Sequence, residues 1–247
     1  YGIAAIMVIH LDLKKIFISS IGILLSYWGI LWLGGGSAPY SLDSNFIRKI
    51  DILVLGESHL YGGTGIQFDP EGLLSTIPSV VTVLMGYLVG SMLHTTKDFL
   101  DNVKRMSTFG TVSIIIGLIW GLIFPINKQL WTSSYVLLTG GIATLFLSLL
   151  CYMIDIKKWK KPLWVFQIFG TNSIFLFVLS GLWTKIILKI KFNLGAESIS
   201  GYGYLYKTLF VPFAGDMLGS LLFAFAHLLG FWLILLWLYR KKIFINL

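Results

Sequence analysis

Charge is what this sequence has least of. Only 12% of its 247 residues are Asp, Glu, Lys or Arg, about half the roughly 25% of a soluble domain. So few charges cannot clothe a water-facing surface, which excludes an ordinary soluble enzyme and a charge-rich disordered chain. The net charge of +8 is scattered between apolar runs with no basic patch, so nucleic acid is not an expected partner. Cysteine is nearly absent: the lone Cys151 lies inside an apolar run, which rules out a disulfide framework and a Cys-based metal site. No HExxH, GxSxG or phosphate-loop pattern occurs, so the motifs of metal hydrolases, serine hydrolases and P-loop enzymes are missing, and no metal is expected. No internal repeat is seen, and no low-complexity segment beyond Gly34-Gly35-Gly36. What is abundant is apolar: 56% of residues are hydrophobic and mean hydropathy is +0.83. These numbers describe an integral membrane protein in the all-α class, a polytopic transmembrane helix bundle, because open strand edges are not satisfied in hydrocarbon.

A bilayer core of about 30 Å takes roughly 20 apolar residues in a helix. By that rule six spans are expected, at about 16–33, 75–95, 107–124, 132–155, 163–188 and 217–239. Residues 1–11 are apolar but too short to cross. They carry neither the basic start nor the cleavage site of a signal peptide, and read as the end of a helix whose beginning is missing. The expectation is therefore a single transmembrane domain over 1–247, itself a piece of a longer chain. Trp and Tyr gather near several span ends, as at Trp28, Trp32, Trp131, Trp159 and Tyr239, where amphipathic rings favour the headgroup layer. One set of loops (12–15, 96–106, 156–162 and the tail from Arg240) holds 12 of the 19 basic residues and the alternate set 7, over longer loops. The positive-inside rule then puts the C-terminus in the cytoplasm of a cell (cytoplasmic) membrane and the long loop 34–74 outside.

That outward loop holds five of the eleven acidic residues, Asp43, Asp51, Glu57, Asp69 and Glu71. Carboxylates accept hydrogen bonds from amines and sugar hydroxyls, although any solvated loop carries charges. In Phe68-Asp69-Pro70-Glu71-Gly72, Asp before Pro predicts a helix start with Glu71 in the first turn, and Pro78 predicts a kink or a short interfacial helix. The link Pro125–Tyr135 carries Asn127, Lys128, Trp131, Thr132, Ser133 and Ser134. Hydroxyls and amides there can cap orphan N–H groups, but three in a row beside an ammonium suggest a cavity mouth that holds a phosphate, a pantetheine amide or a sugar. Thr171 and Asn172 interrupt an apolar helix and must face another helix or a cavity. His227 on the last span is either a satisfied bundle residue or part of a proton or ligand path. His10 and His94 lie near span ends and read as interfacial.

The segments Phe68-Asp-Pro-Glu-Gly-Leu-Leu-Ser-Thr-Ile-Pro78, Phe124-Pro-Ile-Asn-Lys-Gln-Leu-Trp-Thr-Ser-Ser-Tyr135 and Phe169-Gly-Thr-Asn-Ser-Ile174, in this order, resemble the heparan-α-glucosaminide N-acetyltransferase family, whose bacterial members are described as N-acetylglucosamine-related transporters. The resemblance extends over nearly the whole chain. It implies a multi-pass enzyme that moves acetyl from cytosolic acetyl-CoA to the amine of a glucosamine-type sugar or glycan across the membrane. The alternative it leaves open is an amino-sugar transporter without acetyl transfer, and a third is a degenerate subunit. The family's catalytic His is expected in the missing N-terminal part, so no catalytic residue is assigned in this chain, His59 included. The residues carried over as binding candidates are Asp69, Glu71, Asn127, Lys128, Trp131, Thr132, Ser133 and Ser134. Asn172 joins them, and Lys241, with Arg240 and Lys242, faces the CoA phosphates or simply anchors the tail. The lipid bilayer is the remaining partner; Gly140-Gly141 permits close helix packing, and a homo-oligomer is left open.

Overall fold

The computed structural model describes residues 1–247 apart from 64, 94, 160, 195, 196, 246 and 247. Thr64 of the glycine-rich run, His94, and Lys160 of the basic cytoplasmic segment therefore lie outside the described residues. Packing divides the chain into two compact units, Tyr1–Lys158 and Trp159–Leu247.

The first unit begins with α1 (Gly2–His10) and α2 (Leu13–Gly34). Asp12 caps α2 by accepting the Lys15 N–H at 2.8 Å, which satisfies one of the orphan donors of a helix start. Within the segment expected to be a loop, the chain instead forms α3 (Phe46–Leu55), capped by Asn45. Ten residues with Arg48, Lys49 and Asp51 among aliphatics are too short and too charged to span, so the hydropathy rule passes over them; α3 is an amphipathic helix. Then follow α4 (Thr76–Met92), α5 (Phe99–Gly121) and α6 (Ser133–Cys151), the last prolonged by a π-helical turn to Ile156. α5 starts earlier than hydropathy suggests because Asp98 caps it through the Leu100 N–H and buried Asn102 ties the preceding turn, donating to Leu93 O and Thr96 O at 3.0 Å each.

α5 and α6 approach until their backbones touch. A Cβ on Gly110 would lie 2.9 Å from the Gly141 carbonyl, and one on Gly141 would lie 2.7 Å from the Gly110 carbonyl. Small residues permit this contact, which in lipid must come from packing and hydrogen bonds rather than a hydrophobic drive. Ser148 adds both, lying 2.6 Å from the Ser107 hydroxyl and donating to Val103 O at 3.1 Å. Gly141, read from the sequence as permitting close helix packing, makes that packing within this chain.

At one end of the unit a cap forms from residues distant in sequence. Tyr27 and Leu31 of α2, Ile47 of α3, Phe68, Phe124 and Leu130 make one buried cluster. The Tyr27 hydroxyl donates to Leu130 O, and the Trp28 indole to the Tyr40 hydroxyl at 3.1 Å. Arg48 clips the cap from outside, donating to Gln67 O at 2.8 Å and to Glu57 at 3.1 Å.

In the second unit α7 (Trp164–Thr171) and α8 (Ser173–Lys189) are bent by 75° at Asn172. The stretch 189–216, left between the last two expected spans, is largely structured. It holds an antiparallel pair, β1 (Lys191–Leu194) and β2 (Glu197–Ser200), then α9 (Gly201–Leu205), a π-helical turn and the start of α10 (Val211–Arg240). Gly215, at φ 71°, breaks α10, a left-handed conformation that glycine adopts without steric cost.

The fold is all-α, as expected. Among the described residues four helices are long and apolar enough to cross a membrane, and five if the bent α7–α8 pair counts as one span. The sixth expected segment is α4, an apolar helix of 17 residues.

Candidate functional site

The turn from Phe124 to Ser134 is built by its own polar side chains. Asn127 Oδ1 accepts the N–H groups of Gln129 (2.8 Å) and Leu130 (3.3 Å). The Asn127 N–H donates to Thr132 Oγ1 at 3.0 Å. Thr132 therefore folds back on the turn and makes no side-chain cap on α6. Trp131 takes a positive φ of 49°, uncommon for a non-glycine residue, and so turns the chain into α6.

Thr132, Ser133 and Ser134 are fully buried. Ser133 donates to Leu24 O of α2 at 2.8 Å and Ser134 to Phe124 O at 2.6 Å. Each serine hydroxyl has one proton, so both are spent on backbone carbonyls and neither is free to donate to a ligand. Sequence reasoning placed these hydroxyls at a cavity mouth because it counted them without knowing which carbonyls lay opposite. Lys128 is exposed.

Asp69 and Glu71 lie on a turn rather than a helix start. Asp69 Oδ1 accepts the Glu71 N–H at 2.9 Å, and α4 begins only at Thr76. Pro78 sits in the first turn of α4, where proline is tolerated, so no kink occurs there. The turn is held from inside by Asp51 of α3, which is fully buried and accepts the Leu73 N–H at 2.9 Å. Its second oxygen, Oδ2, is buried without a partner among the described residues. Gly72 packs against that oxygen so closely that a Cβ would fall 2.0 Å from it. Burial pushes the Asp51 carboxyl above the usual carboxylate range, and nearby Asp69 adds to the rise.

Beneath this cap a groove of about 470 Å³ runs between α4 and α6, within the roughly 300–1,000 Å³ of small-molecule sites. Thr82, Gly86 and Gly90 of α4 line one wall, and Trp131, Tyr135, Thr139 and Thr144 the other. The Trp131 indole N–H donates to Thr82 Oγ1 at 3.2 Å across one end. The Thr139 and Thr144 hydroxyls donate to carbonyls of their own helix, 2.7 Å each, which leaves oxygen lone pairs able to accept. Nothing lies within 4 Å of where a Cβ would stand on Gly86 or Gly90. The groove thus offers hydroxyl acceptors, an aromatic edge and two glycines facing open space.

The candidates of the second unit do other work. Asn172 is fully buried at the α7–α8 break. It grips the C-terminal tail with both ends of its amide, donating to Ile243 O at 3.1 Å and accepting the Ile245 N–H at 2.7 Å. Lys241 is exposed at the end of α10. His227 donates from Nδ1 to Phe223 O at 2.9 Å, since a carbonyl can only accept, and it is ringed by Trp183, Tyr202 and Phe223. His59 is exposed beside Ser58. Among the described residues no group of three or more His, Cys, Asp or Glu is placed to hold a metal ion.

No known protein-family model matches the chain. Two curated proteins do: heparan-α-glucosaminide N-acetyltransferase of Mus musculus, 33% identical over 162 residues, and that of Homo sapiens, 33% identical over 161. Each match covers 58% of this chain. The chain resembles the heparan-α-glucosaminide N-acetyltransferases. It spans only 23% of the mouse and 22% of the human protein, and the matched share of the chain is smaller than the near-complete coverage suggested by the three motifs.

Against that resemblance to the N-acetyltransferases, the structure brings together Asn127, Trp131, Thr132 and Ser134 around one turn, and Asp69 with Glu71 on another. Sequence reasoning missed Thr82, Tyr135, Gly86 and Gly90. A signal existed: Thr82, Gly86 and Gly90 recur every fourth residue and so share one helix face. It also passed over Asp51, whose sequence neighbours say nothing of its burial.

Proposed function

We propose that this chain is part of a membrane-embedded acetyltransferase that moves acetyl from cytosolic acetyl-CoA to the amine of a glucosamine-type sugar on the outer side of a cytoplasmic membrane, with the C-terminus in the cytoplasm. The observation that carries the reading is the sequence shared with N-acetyltransferases on a set of helices able to cross a bilayer. In such a transfer the neutral amine attacks the thioester carbonyl, the C–N bond forms as the C–S bond breaks, the thiolate leaves, and the amine proton passes to a base. The carbonyl oxygen needs hydrogen-bond donors as it gains charge.

The α4–α6 groove suits the acyl donor's extended arm. From Tyr135 to Leu147 its α6 wall runs about 18 Å at 1.5 Å per residue, more than half of a bilayer core of about 30 Å. The hydroxyl oxygens of Thr82, Thr139 and Thr144 can accept from amide N–H groups along it. Asp69, Glu71 and Lys128 then stand near the outer mouth, where the carboxylates orient the sugar amine and hydroxyls. Asn127, Thr132, Ser133, Ser134 and Asn172 act as positioning residues that hold the turn and the tail. In the second unit, Lys241 is the candidate contact for phosphate on the cytoplasmic side.

The test is acetyl transfer by the full-length protein in sealed proteoliposomes, with labelled acetyl-CoA on the face of the Arg240–Lys242 tail and glucosamine on the other. Labelled N-acetylglucosamine confined to the glucosamine side is expected. Glucosamine that crosses unmodified, or label that stays on the donor side, would overturn the reading.

A further inference from the structure

A second cleft opens on the face of the first unit formed by α2 and α5. It encloses about 570 Å³ and is walled by Ile21 and Leu24 of α2 and Ile116 and Trp120 of α5, over a floor of Val81 and Met85 of α4. Its polar lining is slight, its only hydroxyls those of Ser20 and Ser113, and Ser20 donates to Ile16 O at 2.8 Å. An amide-bearing ligand would find at most those two oxygens to accept its N–H groups, and each N–H left unmet costs about 1–3 kcal/mol. Three turns of a partner helix, about 16 Å long and 10–12 Å across, fill more than twice the volume. An aliphatic chain fits both limits.

The cleft does not end in hydrocarbon. Phe109 and Val112 line it and also line a second hollow of about 740 Å³. That hollow is edged by Thr95, Asp101, Lys104 and Arg105. Lys104 reaches Asp101 at 3.4 Å with both side chains more than half exposed, an ion pair of little worth in water. Arg105 is exposed and has no ion-pair partner among the described residues. An apolar slot that opens onto a guanidinium and an ammonium has the shape and polarity of an amphiphile with a negative head.

We propose that this cleft binds one phospholipid of anionic headgroup, an acyl chain lying between α2 and α5 and the phosphate held by Arg105 and Lys104. Basic residues beside a helix crevice attract anionic headgroups, and a planar guanidinium grips phosphate through two parallel donors. The site adjoins the α4–α6 groove at Met85, which lines both, but uses none of the groove's polar residues, so it stands whether or not the acetyltransferase reading does.

Indole fluorescence tests it, because Trp120 lines the slot and brominated acyl chains quench an indole they touch. The full-length protein would be reconstituted in phosphatidylcholine bilayers with either dibrominated phosphatidylglycerol or dibrominated phosphatidylcholine at equal mole fraction. Trp120→Phe identifies the Trp120 signal. The anionic lipid is expected to quench that signal at a lower mole fraction, and Arg105→Gln, an exposed change that spares the fold, is expected to weaken the preference about fivefold. Equal quenching by both lipids, or a preference that survives Arg105→Gln and Lys104→Gln together, would overturn the proposal. So would loss of quenching on addition of acetyl-CoA, which would make the cleft a donor site instead.

Discussion

The two neighbours of α6, α5 and α4, use their glycines in opposite ways. Toward α5, Gly110 and Gly141 bring backbones together until a Cβ would collide with a carbonyl at 2.7–2.9 Å. Toward α4, the glycines at 86 and 90 face open space in a 470 Å³ groove. Glycine inside a helix costs about 1 kcal/mol relative to alanine. On the α5 side that cost is offset by close packing and by the Ser107–Ser148 contact. On the α4 side no contact among the described residues offsets it, so the open glycines make sense as room for something that arrives from elsewhere. One face of the helix holds the fold and the other receives.

Substitutions at these positions separate the two roles. Gly141→Leu should do most harm, forcing α5 and α6 apart and costing 3 kcal/mol or more on the scale of about 1–3 kcal/mol for an overpacked core; loss of monodisperse protein in detergent size-exclusion chromatography is the readout. Next in size is Ser134→Ala. It orphans the Phe124 carbonyl at about 1–3 kcal/mol, so the thermal midpoint in detergent should fall; Ser133→Ala should lower it less, since Leu24 O lies inside α2 and keeps its helical N–H. If transfer falls while stability holds, these hydroxyls act on substrate and their structural role is wrong. Gly86→Ala and Gly90→Ala should each stabilise the protein by about 0.5–1 kcal/mol while narrowing the groove, an opposition that a merely structural glycine does not produce.

The smallest expected effect belongs to Asp51. Its folded carboxyl sits above the ordinary 3.8, so the folded state holds the proton more tightly than the unfolded chain. The stability from that proton is complete below about pH 4 and is lost as pH rises through the raised folded value. Asp51→Asn keeps an acceptor for the Leu73 N–H and should flatten the change in thermal midpoint above pH 4. An unchanged pH profile would place the titration elsewhere.

How much of this was legible beforehand depended on the distance over which each cause acts. The spans were readable because hydropathy is local: α2, α5, α6 and α10 lie where apolar runs lie. α3 was not, since Phe46–Leu55 becomes a helix by docking Ile47 into a cluster with Tyr27 and Phe124, partners 20 and 77 residues away by sequence number. The same limit governs the site. Asn127 and Thr132 were rightly seen as shaping the turn, yet the carbonyl of Leu24 that takes the Ser133 proton is 109 residues distant. Asn172 was seen to need a partner in the membrane; that its partner is the tail at Ile243 and Ile245 could not be read from Phe-Gly-Thr-Asn-Ser alone. The groove was visible in principle as the four-residue rhythm of Thr82, Gly86 and Gly90, but such a rhythm says only which face is smooth, and the neighbouring helix decides whether it is filled.

The central claim is that the open face of α4 receives the reacting acyl donor. It is tested most directly by acetyl transfer with the full-length Gly90→Leu protein in sealed proteoliposomes, beside its thermal midpoint. A side chain grown into open space should leave the midpoint unchanged or raised and cut transfer at least tenfold. Transfer at the unsubstituted rate by a folded Gly90→Leu protein would contradict the account and move the reaction away from the α4–α6 groove.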